Sequence, residues 1–125
     1  MRVHRMFPGL QAAGVVLCVA CLAGWPAAAM GGADDRRLDI YWVDVEGGAA
    51  TLIVTPQGES LLVDAGNPGR RDSQRIFDVA AKVAGLRKID YLVTTHFHRD
   101  HFGGAASLAA LLPIGVVYDN GEFEG

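Results

Sequence analysis

Cysteine is almost missing from this chain: its 125 residues hold 2, Cys18 and Cys21, and both fall within the first 29. Everything after residue 29 therefore lacks disulfides, thiolate nucleophiles and cysteine metal ligands. Basic side chains are also sparse, with 11 Lys and Arg against 14 Asp and Glu, so the chain has no electrostatic footprint for coating nucleic acid. Neither internal repeats nor low-complexity segments interrupt it. Any metal held beyond residue 29 must be bound by His, Asp or Glu.

The first 29 residues read as a unit. Arg2 and Arg5 precede a charge-free apolar core from Ala12 to Ala23, then Trp25-Pro26 and the small residues Ala27-Ala28-Ala29. That is the layout of a secretory signal peptide with cleavage after Ala29, which predicts a secreted or periplasmic product. Two alternatives are weaker. Pro26 interrupts the apolar stretch as a membrane anchor, and its core is short of the about 20 residues a bilayer needs. Lipoprotein processing at Cys21 would want a large aliphatic residue where Cys18 stands. Removing residues 1–29 takes away Arg2 and Arg5 and leaves 9 basic against 14 acidic side chains, a net charge of −5. No stable membrane span is expected after cleavage.

Residues 30–37 are polar and aperiodic and read as a flexible lead-in to a domain over residues 38–125. Strand character follows over 38–45, 50–55 and 60–64, with turns at Glu46-Gly47-Gly48 and Pro56-Gln57-Gly58, which predicts an antiparallel meander. Ile76, Val79, Ala80, Val83 and Ala84 then recur at helical spacing, which predicts a helix over 73–84 with Asp72 or Ser73 as N-cap and Gly85 as terminator. The nearly continuous apolar run over 89–95 reads as a buried strand. Phe102 to Leu112 reads as a helix stopped by Pro113, and 115–118 as a last strand. The order is β-β-β-α-β-α-β.

Three of the chain's 4 histidines, His96, His98 and His101, cluster around Asp100 where the buried strand ends. Ligand sites of α/β sheets form at such edges. In extended backbone, residues two apart point the same way, so His96 and His98 can face one ion, and a turn through Arg99 brings Asp100 and His101 to a neighbouring position. Imidazole and carboxylate suit zinc. Gly103 and Gly104 leave room for close backbone, and Phe97, Arg99 and Phe102 read as packing or solvent-facing spacers. A histidine-rich loop that binds nothing is the plain alternative, and the combined set of donors argues against it.

The run His96-x-His98-x-Asp100-His101 resembles the signature of the metallo-β-lactamase fold superfamily, and Leu61-Leu62-Val63-Asp64-Ala65-Gly66 resembles the strand-ending Asp-x-Gly of the same family. The resemblance covers about residues 38–120. It implies an α/β fold, the N-terminal half of a metallo-β-lactamase-type αββα sandwich. It also implies that His96 and His98 bind a first metal, that Asp100 and His101 bind a second, and that Asp64 supports them from behind. By itself Asp64 would read as a turn former, and Asp44 is read evenly as a strand-end turn residue or part of the site. A finer resemblance, to the metallohydrolase domain of bacterial DNA-uptake channel proteins, rests on Asp44, Gly48, Ala50, Leu52 and Ile53. Glu46, Gly47 and Ala49 depart from it, and Ala49 stands where an aspartate is usual.

The activity implied is hydrolysis of an ester, amide or phosphodiester bond in a small-molecule or phosphodiester substrate. Two zinc ions would lower the pKa of a shared water, and Asp100 would orient it. The family's remaining ligands are a third histidine, a bridging aspartate and a final histidine. No histidine follows His101, so the chain is expected to correspond to the front half of a domain. The alternative expectation is a non-catalytic secreted module that binds metal weakly.

Overall fold

The computed structural model describes residues 31–121, and the expected signal peptide over 1–29 lies outside the described residues. Five strands run in the order of the sequence across one sheet: β1 (Asp39–Trp42), β2 (Thr51–Val54), β3 (Ser60–Val63), β4 (Ile89–Val93) and β5 (Ile114–Tyr118). The first three pair antiparallel, as the tight turns predict, while β3 with β4 and β4 with β5 pair parallel. The parallel pairs require crossovers. The first is helix α1 (Arg70–Phe77) with its π-helical continuation Asp78–Val83, and the second is the pair α2 (Arg99–Phe102) and α3 (Ala105–Ala109).

Alternation sorts the strand residues onto two faces. Leu52, Val54, Leu62 and Leu92 point to one side, where Ile76, Ala80, Ala84, Leu86, Leu108 and Leu112 from the helical connections close over them as a single core. Leu52 lies opposite Leu62, and Leu62 beside Leu92, so three strands place their most buried leucines in one row. The other side carries Ile40, Trp42, Ile53, Leu61, Val63, Tyr91, Val93, Val116 and Tyr118. Trp42 is 79% exposed and Tyr118 55%. The sheet is thus apolar on both faces, and the described helices cover one.

The helices differ in detail from the sequence expectation. The first begins at Arg70, three residues before the expected start, because Gly69 at φ +101° turns the chain into it. Asp72 and Ser73 are consequently inside the helix. Ser73 Oγ donates back to the carbonyl oxygens of Gly69 and Arg70, and neither side chain caps the helix. The expected single helix over 102–112 is two short ones that meet at Gly103-Gly104. Close packing explains the break: the Gly104 amide donates to the Gly66 carbonyl and a Cβ on Gly104 would strike the Ala65 carbonyl. The lead-in touches the end of the first crossover, with the Ala33 amide donating to the Ala84 carbonyl at 3.0 Å.

Leu62 and Leu92 are 0% and 1% exposed at the centre of this core. Replacing either with alanine is expected to lower unfolding free energy by about 2–5 kcal/mol, whereas Trp42→Ala should cost far less. Urea denaturation midpoints of the three variants check this ordering.

Candidate functional site

Beyond β3 and β4, at the carboxyl ends of two parallel neighbours, the chain leaves the sheet at Asp64 and at Thr94. Asp64 is 2% exposed and takes φ +60°, a left-handed conformation that costs a non-glycine residue free energy. Its carboxylate supplies the compensation. Oδ1 accepts the Thr95 amide at 2.8 Å, and Oδ2 accepts the Thr95 hydroxyl at 2.8 Å and lies 2.8 Å from His101 Nδ1. Asp64 thus touches one member of the histidine cluster, His101, directly.

The four motif residues fall in the loop after β4 and in α2. His98 holds extended backbone as the residue before α2, so Asp100 and His101 lie in that helix's first turn, and the turn folds back toward His96. Ring centroids of His96 and His98 are 4.6 Å apart and those of His96 and His101 4.0 Å. Asp100 Oδ2 lies 3.7 Å from His101 Nε2. The spacers behave as expected: Phe97 and Phe102 stack edge to face at 5.8 Å, and Arg99 is exposed. These donors are neighbours without being closed around one point, since among the described residues no group of three or more meets the geometry of an ion cage.

Two loops hold the motif from below. The Ala65 amide donates to the His101 carbonyl, the Ala49 amide to the Asp100 carbonyl, and the Gly66 amide to the Ala49 carbonyl. Gly48 packs so closely on Asp100 that a Cβ there would strike its carbonyl oxygen. Ala49, one of the residues at which the sequence departs from the DNA-uptake pattern, therefore works through its backbone, gripping both the motif helix and the Asp64 loop. The Asp44 carboxylate accepts Arg75 Nη1 at 2.6 Å.

Asp72, read from the sequence as a helix cap, instead anchors the loop that carries Asp64. Its buried carboxylate accepts the Asn67 amide at 2.8 Å, Asn67 Nδ2 at 3.1 Å and Arg71 Nε at 2.7 Å, while Asn67 Nδ2 also donates to the Glu46 carbonyl. Arg71 continues to Glu46 in an ion pair. Burial pushes the Asp72 carboxyl up, but the bonds from Arg71 and Asn67 outweigh it and hold the group below the ordinary carboxylate value.

Sequence and structure comparisons place the chain in a family. Residues 43–124 match the metallo-beta-lactamase superfamily. The chain belongs to that superfamily. It is 32% identical over 113 residues to a metal-dependent hydrolase of Cupriavidus necator, covering 86% of this chain and 37% of the relative. A metal-dependent hydrolase of Polynucleobacter asymbioticus is 30% identical over 105 residues, covering 84% of this chain and 35% of the relative. The chain thus spans about a third of the length of these curated relatives. Among solved structures, a HARLDQ-motif mutant of a metallo-beta-lactamase from Cronobacter sakazakii superposes with a TM-score of 0.50 at 31% identity, covering 62% of this chain and 30% of that one. The five-stranded sheet and its helical crossovers accordingly form part of a metallo-beta-lactamase fold, as the motif and element order imply.

The Asp72 network has a pH signature. A carboxyl whose folded pKa is depressed contributes stability that is complete above the unfolded value, near 3.8, and is lost as pH falls through the folded value. Asp72→Asn should lower stability at neutral pH by about 1–3 kcal/mol and narrow its difference from the parent below about pH 4. Urea midpoints measured from pH 7 to pH 3 for parent and variant check the sign.

Proposed function

We propose that this chain carries metal ligands of an exported hydrolase, His96 and His98 for a first ion and Asp100 and His101 for a second. The observation that carries the reading is the convergence of three imidazoles and one carboxylate at the carboxyl end of β4, with His101 Nδ1 committed to buried Asp64. A ring nitrogen bonded to a carboxylate fixes the ring and leaves Nε2 for a metal. The donor set fits zinc: nitrogen and oxygen donors of borderline softness, none of them cysteine.

A bound metal would supply Lewis acidity toward the scissile carbonyl or phosphoryl oxygen and lower the pKa of coordinated water. The chain's residues do the rest. Asp64 holds His101, and through the His101 carbonyl the Ala65 amide holds the start of α2. The Ala49 amide fixes the backbone of Asp100, whose side chain remains partly open to solvent. In that position Asp100 can accept a hydrogen bond from the attacking water and take its proton. The ester, amide and phosphodiester classes all suit this arrangement. Two zinc ions and export guided by residues 1–29 belong to the same proposal. N-terminal sequencing of exported protein is expected to begin at Met30.

One observation favours a second reading, a module that binds metal weakly and does no chemistry: the donors are not drawn into a cage among the described residues. Elemental analysis and hydrolysis assays on the purified full-length protein separate the two. The proposal expects bound zinc, its loss in the His96→Ala, His98→Ala double variant, and a fall of about 100-fold or more in turnover for Asp100→Asn. Zinc content unchanged in the double variant would overturn the assignment of these ligands, and zinc without turnover on carboxyl and phosphodiester substrates would favour the second reading.

A further inference from the structure

Thr95 is the residue that the motif reading leaves unused. It precedes His96 at the end of β4, and its hydroxyl oxygen sits between two partners, 2.8 Å from Asp64 Oδ2 and 3.0 Å from His96 Nδ1. A hydroxyl has one proton to give, and a carboxylate can only accept. With oxygen 2.8 Å from oxygen, the proton must lie on the line to Asp64, since two oxygens at that distance without one would repel. The hydroxyl then turns a lone pair toward His96 Nδ1, and a stable contact at 3.0 Å requires that nitrogen to carry the ring's proton. The same logic applies to His101. Its Nδ1 faces the same carboxylate oxygen at 2.8 Å, so it too must be the protonated nitrogen.

We infer that Thr95 is a positioning residue that relays the charge of Asp64 to His96, so that one buried carboxylate sets the tautomer of two candidate ligands at once, directly in His101 and through a hydroxyl in His96. In the neutral ring each then has Nε2 free of its proton, and His101 Nε2 lies 3.7 Å from the carboxylate of Asp100, the neighbouring candidate ligand. The two rings, with centroids 4.0 Å apart, are oriented before any ion arrives. The main-chain half of the same contact, Thr95 N–H to Asp64 Oδ1 at 2.8 Å, locks the hydroxyl's base in place, and it survives any change of the Thr95 side chain. Removing the hydroxyl should therefore free His96, while the Thr95 amide and His101 still hold Asp64. Thr95 is exposed, so the change costs little packing.

The consequence for metal rests on the ligand assignment proposed above, whereas the tautomer assignment does not. Long-range proton–nitrogen correlation spectra of the metal-free full-length protein, labelled at histidine and held at a pH where imidazoles are neutral, read each ring's protonated nitrogen. The expected result is Nδ1–H for both His96 and His101 in the parent, a shift of His96 alone toward Nε2–H in Thr95→Val, and recovery in Thr95→Ser. Zinc titration should show affinity lowered about 10- to 100-fold in Thr95→Val and restored in Thr95→Ser. His96 protonated at Nε2 in the parent would overturn the inference, as would a Thr95→Val protein whose His96 spectrum matches the parent's. The expected tautomers in a protein that binds no zinc would support the relay and sink the metal assignment instead.

Discussion

The motif of this protein depends on one buried carboxylate. Asp64 stands where β3 ends and takes three hydrogen bonds on two oxygens, two from Thr95 and one from His101. Those bonds join the strand that carries Asp64, the loop that carries His96 and the helix that carries His101. A left-handed φ at a non-glycine residue costs about 1–3 kcal/mol, and charge-assisted hydrogen bonds at roughly 1.5–3 kcal/mol each are of the size needed to hold it. The conformation persists because those partners fix it, which is the situation in which backbone strain is found beside functional groups.

The scaffold around Asp64 transmits that constraint. Ala65 and Gly66 bond to the His101 and Ala49 carbonyls, Asn67 reaches Glu46, and buried Asp72 ties the loop to α1. Four segments distant in sequence thus meet behind the histidines, through backbone groups at Ala49, Ala65 and Gly66 and through the side chains of Asn67 and Asp72. Glycine is required at Gly48 and Gly104 for that reason: each faces a carbonyl that a Cβ would strike. The sheet adds the second support. Its helix-covered face is closed by leucines of three strands, so the strand ends that launch the site are fixed by the core directly beneath them.

Much of this was legible in the residues, and the rest was hidden for identifiable reasons. Short runs of apolar, β-branched and aromatic residues and the turn chemistry between them mark the five strands, and the histidine spacing marks the motif, because both signals are local. The start of α1 was misplaced because a polar residue ahead of an apolar run looks like a cap, whereas Asp72 is a buried loop anchor whose partners come from Asn67 and Arg71. The split at Gly103-Gly104 depends on the approach of Ala65, nearly forty positions away. Thr95 went unassigned because β propensity alone explains a threonine at a strand end; its partner becomes visible only once β3 and β4 pair in parallel.

That pairing also explains why the site begins at these positions. In a parallel ladder each residue of one strand alternately donates to and accepts from its neighbour. The Asp64 amide donates to the Val93 carbonyl at 2.8 Å, so the next bond of the series would run from the Thr95 amide to the Asp64 carbonyl. The Thr95 amide bonds Asp64 Oδ1 instead. The left-handed turn swings the Asp64 main chain out of the sheet, and its side chain takes the acceptor's place, so the ladder ends on a carboxylate and not on a peptide. A carbonyl there would accept the Thr95 amide, but it would bring neither the net charge nor the second oxygen that engages the Thr95 hydroxyl and His101. Substituting a side chain for the last rung converts the end of a β-sheet into the floor of a histidine cluster, which is why the strain at Asp64 and the orientation of the imidazoles have a common origin.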